Sequence, residues 1–215
     1  FAAAAEFGVT VSSTPEGPVT AVAEMTVAAL LALARRLIPM NAALHAGHWQ
    51  KSIGFGLDGT KVLMIGYGRI GRRVGELLRA FGAELLIHDP YIDAASLTHG
   101  ERMVSLDKGL AEADVISLHA AGEQCLLGPD AFARMRPGAI LLNSARGGLV
   151  DEAALIDALK NGTIAGAWLD AFWQEPYKGP LLDFEQVLLT PHVGTYTRQC
   201  RLDMETTAVR NLLRD

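Results

Sequence analysis

The chain has 215 residues, 50% of them hydrophobic, and a formal net charge of -5. That supplies apolar material for one large α/β core, or for one and a half smaller ones. The acidic balance, with basic residues scattered apart from short pairs such as Arg35-Arg36 and Arg72-Arg73, argues against nucleic acid as a partner.

The first residue is Phe1 rather than Met, and FAAAAEFGVTVSSTP reads as the tail of a helix entering a short strand at 9–11. Pro15, Gly17 and Pro18 then make a turn. Val22, Met25, Ala29, Leu33 and Leu37 recur at helical spacing and predict one long helix over 20–46, with Pro39 as its candidate interruption. Its apolar stretch 25–34 is too short to span a bilayer, and no signal-type segment opens the chain, so no membrane partner is expected. From Lys61 onward strands at 62–65, 85–88, 115–118, 140–142, 164–169 and 187–189 alternate with helices at 69–81, 106–112, 129–135 and 151–160. Strands that read as unbroken apolar runs between helices predict a parallel sheet covered on both faces, hence a doubly wound α/β fold of the Rossmann type. The closing METTAVRNLLRD is a helix without a Gly or Pro terminator, so the chain reads as cut at both ends. Cys125 and Cys200 lie far apart, outside any CxxC or histidine-spaced pattern. That fits a reducing, cytoplasmic setting and neither a disulfide framework nor a metal site.

The segment KVLMIGYGRIGRRVGELL sets a GxGxxG string directly after an apolar strand and at the opening of an amphipathic helix. Each glycine has its own task. Gly66 permits the tight turn, Gly68 lets backbone amides approach a pyrophosphate, and Gly71 lets the helix pack closely on the strand. The next strand, ELLIHD, ends in Asp89, at the spacing where a carboxylate accepts the ribose hydroxyls of an adenosine and repels a 2′-phosphate. NAD rather than NADP is the expected cofactor. A purely structural glycine turn and an S-adenosylmethionine methyltransferase share part of this pattern.

Three polar residues follow the later strands, at the edge where an open parallel sheet binds ligands: Arg146 in RGG, Glu175 in AFWQEP and His192 in PHVG. An arginine there offers a fork of donors to a carboxylate or a polarised carbonyl. A carboxylate paired to an imidazole fixes its tautomer and favours its protonated form, which suits exchange of a proton with a substrate oxygen. Singly they read as a solvated loop charge, a surface carboxylate and a hydrogen-bonded loop histidine; their joint placement after three strands favours a site.

The segments PEGPVTAVAEMTVAALLALARR, GYGRIGRRVGELLRAFGAELLIHDP, LNSARGGLVDEAALIDAL, AGAWLDAFWQEP and LLTPHVG together resemble the D-isomer-specific 2-hydroxyacid dehydrogenases, in particular their D-3-phosphoglycerate dehydrogenase-like branch. The resemblance covers essentially the whole chain. It implies NAD-dependent interconversion of a D-2-hydroxy acid and its 2-keto acid, with Arg146 holding the substrate, His192 as acid and base, and Glu175 as its partner. It also implies cofactor contacts by Gly66, Gly68, Arg69, Ile70, Gly71, Asp89, His119, Ser144, Ala145, Arg146, Asp170, His192 and Gly194. The family builds a separate flavodoxin-like substrate domain from both chain ends. By that resemblance 1–16 and 193–215 are remnants of the substrate domain, 17–192 is the NAD-binding domain, and a homodimer is expected. One departure is HAAGEQCLLG after His119, which lacks the usual proline-threonine-proline stretch. The same fold also serves dinucleotide-sensing corepressors and dehydrogenases of formate or phosphite, which stand as rival readings.

His45 and His48 are spaced to share a metal, but no third ligand is evident and chance spacing is the plainer reading. Trp173 and Tyr196 are candidates to line the substrate site, whereas core packing is the default for Trp168.

Overall fold

In the computed structural model, which describes residues 2–122 and 124–213, the strands β1 (Lys61–Ile65), β2 (Glu84–His88), β3 (Arg102–Met103), β4 (Val115–Leu118), β5 (Ala139–Asn143), β6 (Ile164–Leu169) and β7 (Val187–Leu189) pair in parallel. The helices are α1 (Ala2–Glu6), α2 (Pro18–Ala34), α3 (Leu37–His45), α4 (Arg69–Ala80), α5 (Leu106–Glu112), α6 (Pro129–Arg134), α7 (Glu152–Lys160) and α8 (Arg198–Leu212). The sheet is seven-stranded in the order β3-β2-β1-β4-β5-β6-β7. The order reverses between β1 and β4, which opens a crevice above their carboxyl ends, the position where such sheets receive ligands.

The period of two along each strand divides the core. Val62 and Met64 of β1 join Val74 and Leu78 of α4 and Leu30 of α2 on one face. Leu63 and Ile65 join Leu110, Phe132 and Leu155 of α5, α6 and α7 on the other. Each large apolar side chain fully buried this way contributes roughly 2 kcal/mol. The two layers therefore hold the sheet firmly enough for the loops at its carboxyl edge to carry strained residues.

Two expectations differ from the structure. No strand forms at 9–11: after α1 and a turn at 7–8 the chain takes up no regular element, and Val9 and Val11 are 57% and 48% exposed. Alternating β-branched residues need a neighbouring strand to hydrogen-bond, and none lies beside them. The long helix over 20–46 is two helices, broken at Arg35 and Arg36, not at Pro39. Arg36 takes a left-handed φ of 50°. The carbonyl of Ala34 accepts the amide of Phe55 at 3.0 Å, so an incoming segment ends α2. Pro39 lies in the first turn of α3, where a missing N–H costs nothing. Sequence reading also missed the two-residue β3, too short for a periodic signal. Residues 1, 214 and 215, part of the readings of cut ends, lie outside the described residues.

Candidate active site

The glycine turn joins β1 to α4, and close backbone approach is built into it. A Cβ on Gly66, whose φ is +89°, would lie 2.6 Å from the amide of Ala120, and one on Gly71 would lie 2.4 Å from the carbonyl oxygen of Gly66. Above Gly68 there is open space within 4 Å of where a Cβ would stand. Gly68 also supplies α4 with no side-chain cap. By contrast Asp151 caps α7 through the Ala154 amide at 2.8 Å, and Thr197 caps α8 through the Cys200 amide at 3.1 Å. The first turn of α4 thus presents uncapped amides and the positive end of its dipole to that open space, which fits a pyrophosphate.

Asp89, at the end of β2, is tied to this turn. Its Oδ2 accepts the Tyr67 amide at 2.7 Å and its Oδ1 accepts the Tyr91 amide at 2.9 Å. The carboxylate is therefore oriented before any ribose arrives. Tyr67 is buried, donates its hydroxyl to Glu101 at 3.1 Å, and is pushed up to about 12 by burial and by that carboxylate, so it serves as a permanent donor under the turn. Arg69 forms an exposed ion pair with Glu16, and Ile70 packs against the α2 and α4 side of the core.

His119, just past β4, lies under the same turn. Its Nε2 pairs with Ser117 Oγ at 2.8 Å, while its buried Nδ1 has no partner among the described residues. Burial pushes its pKa down to about 4, so this imidazole is neutral at physiological pH.

On the far side of the crevice, β5 ends in buried Asn143, which builds the next loop. Its Oδ1 accepts the Ala145 amide at 3.0 Å and its Nδ2 donates to the Arg146 carbonyl at 2.9 Å. Ser144 and Ala145 are half-buried in this turn and Arg146 is exposed, its guanidinium donating to the Ala145 carbonyl at 2.7 Å. Next comes Gly147, where a Cβ would lie 2.1 Å from the carbonyl carbon of Phe172. Only glycine lets the loops after β5 and β6 meet backbone to backbone.

That meeting sets Arg146 beside Glu175, whose carboxylate accepts the Phe172 amide at 3.2 Å. Both Glu175 oxygens stand 2.9 Å from His192 Nδ1. A carboxylate only accepts, so Nδ1 carries the hydrogen and Nε2 is left for a substrate. The hydrogen bond from His192 holds the Glu175 carboxyl below the usual carboxylate range, with a further lowering from the Arg146 charge. Arg146, Glu175 and His192, far apart in sequence, thus converge on one edge.

His192 has a left-handed φ of +54°. For a residue with a side chain that costs on the order of 1–3 kcal/mol unless its surroundings over-determine it. Here they do. The His192 amide donates to the Thr190 carbonyl at 2.8 Å, and the next two amides, of Val193 and Gly194, donate to Asp170 at 2.9 and 2.7 Å. Asp170 is 2% exposed and spends both oxygens on this loop. It anchors the histidine at the carboxyl edge of the sheet.

Sequence reasoning missed Asn143, Gly147 and Thr190. A polar residue closing the apolar run AILLN was a visible signal for the first; the other two act through contacts that no local pattern encodes. Trp168 is fully buried, as its default reading had it, and Tyr196 is exposed and stacks with Arg201. Trp173 is half-buried and donates its Nε1 hydrogen to the Val150 carbonyl at 2.7 Å. His45 ends α3 with His48 beyond it, both exposed, and among the described residues no group of three or more His, Cys, Asp or Glu could hold a metal ion. No helix of the described residues is long and apolar enough to cross a membrane.

Residues 27–194 match the family described as D-isomer specific 2-hydroxyacid dehydrogenase, NAD binding domain. The chain is similar to D-3-phosphoglycerate dehydrogenase of Mycobacterium leprae (strain TN), 39% identical over 209 residues that span 93% of this chain and 39% of that protein. It is similar to glyoxylate reductase of Thermococcus litoralis, 36% identical over 220 residues that span 96% of this chain and 66% of the relative. Its fold matches the crystal structure of a glyoxylate reductase from Paecilomyes thermophila with a TM-score of 0.91 at 34% identity, covering 98% of this chain and 66% of the other. The chain thus spans 39% of the length of the phosphoglycerate dehydrogenase it matches.

Proposed function

The chain belongs to the D-isomer-specific 2-hydroxyacid dehydrogenase family and carries its NAD-binding domain, and from that premise we propose that the whole protein interconverts a D-2-hydroxy acid and its 2-keto acid. The observation that carries the reading is the His192–Glu175 pair at 2.9 Å, set beside Arg146 at the carboxyl edge of the sheet. Bound NAD would supply the hydride acceptor, or in reduced form the donor. The glycine turn from Gly66 to Gly71, with Arg69 and Ile70, would hold its pyrophosphate, and Asp89 its adenosine ribose. His119, Ser144, Ala145, Asp170 and Gly194 would border the nicotinamide.

The chain's own residues account for the remaining chemistry. Arg146 binds the substrate carboxylate or polarises its carbonyl, a task for a planar fork of donors. His192 passes a proton to the developing hydroxyl in reduction and removes it in oxidation, through Nε2. Glu175, acting on Nδ1, keeps the ring in one tautomer with Nε2 turned to the substrate. The two relatives named above, a phosphoglycerate dehydrogenase and a glyoxylate reductase, support small 2-hydroxy and 2-keto acids as the substrate class.

Three further readings go with this one. We assign 17–192 to the cofactor domain, and 1–16 and 193–215 to a substrate domain. The exposed apolar side chains of α3 and the segment after it, among them Leu37, Ile38, Leu44, Trp49 and Ile53, favour a homodimer covered through this face. A reducing, cytoplasmic setting fits the unpaired thiols of Cys125 and Cys200.

The deciding experiment is steady-state oxidation of NADH by the full-length protein with a panel of 2-keto acids. Turnover is expected for at least one of them, and His192→Ala should remove most of it while leaving NADH affinity nearly unchanged. Turnover that survives the substitution would refute the role of the histidine.

A further inference from the structure

Thr190, the residue after β7, has every polar atom engaged. Its amide donates to the Leu169 carbonyl at 3.1 Å and its carbonyl accepts the His192 amide at 2.8 Å. Its hydroxyl accepts the indole N–H of Trp168 at 2.9 Å and donates to Asp170 Oδ1 at 2.6 Å. The direction of this chain is not optional. An indole nitrogen can only donate, so the Thr190 oxygen must accept from Trp168, and its own hydrogen is left for Asp170. Trp168 is 0% exposed and Asp170 2%, so water does not compete for either bond. Asp170 in turn holds the amides of Val193 and Gly194, which follow His192 in its left-handed conformation.

We propose that Thr190 is a positioning residue for the acid-base histidine: its hydroxyl, oriented by Trp168, fixes Asp170, and Asp170 fixes the two amides that keep His192 at φ +54° with its ring against Glu175. The proposal rests on the reading of His192 as the proton-exchanging group. Valine in place of Thr190 keeps the volume but sets a methyl against the Trp168 N–H and the Asp170 carboxylate, leaving both buried groups short of a partner. Without the hydroxyl, Asp170 is held only by the amides of Val193 and Gly194, so the clamp loosens and the His192 ring is no longer kept in one place against Glu175. Serine keeps the hydroxyl and the clamp.

The test uses the full-length protein, with NADH and each of glyoxylate, pyruvate and hydroxypyruvate as probes, and follows the ring resonances of His192 by NMR. Thr190→Val should lower kcat by about tenfold or more with the Kd for NADH within about threefold, and should shift the His192 ring signals. Thr190→Ser should stay within about threefold of wild type in kcat and leave those signals in place. Should Thr190→Val not fold, Thr190→Ala, which removes the same hydroxyl without setting a methyl against Trp168 and Asp170, carries the same test and should lower kcat several-fold. Wild-type kcat in Thr190→Val, a Ser variant as impaired as the Val variant, or unmoved His192 signals would each overturn the proposal. A wild-type protein that reduces neither these three nor any other acid of the 2-keto acid panel refutes the acid-base reading instead. In that case the NMR result alone decides the clamp, a shifted His192 upholding it and an unmoved one overturning it.

Discussion

His192 Nδ1 stands equidistant from the two oxygens of Glu175, at 2.9 Å from each. The bond holds the Glu175 carboxyl below its ordinary 4.5, so the folded-state pair persists above that value and is lost only as pH falls through the lowered one. Between pH 5 and 9, then, the pH dependence of turnover does not arise from Glu175 itself. Glu175→Gln keeps the shape but replaces an acceptor-only carboxylate with an amide that can also donate to Nδ1, so the ring is no longer held in one tautomer. The kcat for 2-keto acid reduction should fall by about tenfold to a hundredfold, with the Kd for NADH within about threefold. A kcat equal to the wild type would show that the carboxylate is structural only.

Asp89 meets the glycine turn through Tyr67 and its own loop through Tyr91. Asp89→Ser should therefore do two things together. Use of NADPH relative to NADH should rise by about tenfold or more once the repelling charge is gone, and denaturant melts should show a loss of about 1 kcal/mol from the weakened turn. An unaltered ratio of the two cofactors would count against the ribose role, whatever happens to stability.

Gly147 leaves no room for a side chain, with Phe172 backbone 2.1 Å from where a Cβ would stand. Gly147→Ala should cost about 3 kcal/mol in unfolding free energy, or separate the two loops, and in either case depress turnover far more than NADH binding. The discriminating control is Gly128→Ala, where the φ of -90° is open to any residue and nothing lies within 4 Å of the added Cβ. A Gly147 variant no worse than that control, in stability and in kcat, would disprove the close approach.

His119 offers a readout that needs no substrate. Burial lowers its pKa from 6.5 to about 4, so the unfolded chain binds a proton that the folded one refuses between those values. The sign follows: this group's contribution is intact above pH 6.5 and is lost as pH falls toward 4, by up to about 3 kcal/mol. Urea melts at pH 7.5 and 5.0 should show that loss in the wild type and a smaller one in His119→Gln. Equal losses in the two proteins would mean that His119 is not held neutral.

Much of this was readable from the residues alone because the signals were local. Each glycine of GYGRIG answers to a constraint within one turn, Asp89 ends the next strand, and unbroken apolar runs announce strands buried on both faces. The convergence of Arg146, Glu175 and His192 was legible because each follows a strand, and parallel strands put such positions on one edge. What escaped depends on partners distant in the chain. Asn143, Gly147 and Thr190 matter only because particular loops come to rest against them. The break after Ala34 comes from a hydrogen bond to Phe55, while the proline that seemed to announce it sits harmlessly in a first turn. Valines at 9 and 11 form no strand because periodicity cannot supply a neighbour.

The contact of Gly147 with the backbone of Phe172 also has a mechanical meaning. Two loops that touch without side chains between them have no soft layer across which to slide, and Asn143 stiffens one of them from below. Arg146 and Glu175 are in effect mounted on a single bracket. A hinge motion that brings another part of the protein down onto this edge would carry both groups as one body. The distance between Arg146, proposed to grip the substrate, and Glu175, proposed to steady the proton carrier, is then set at folding.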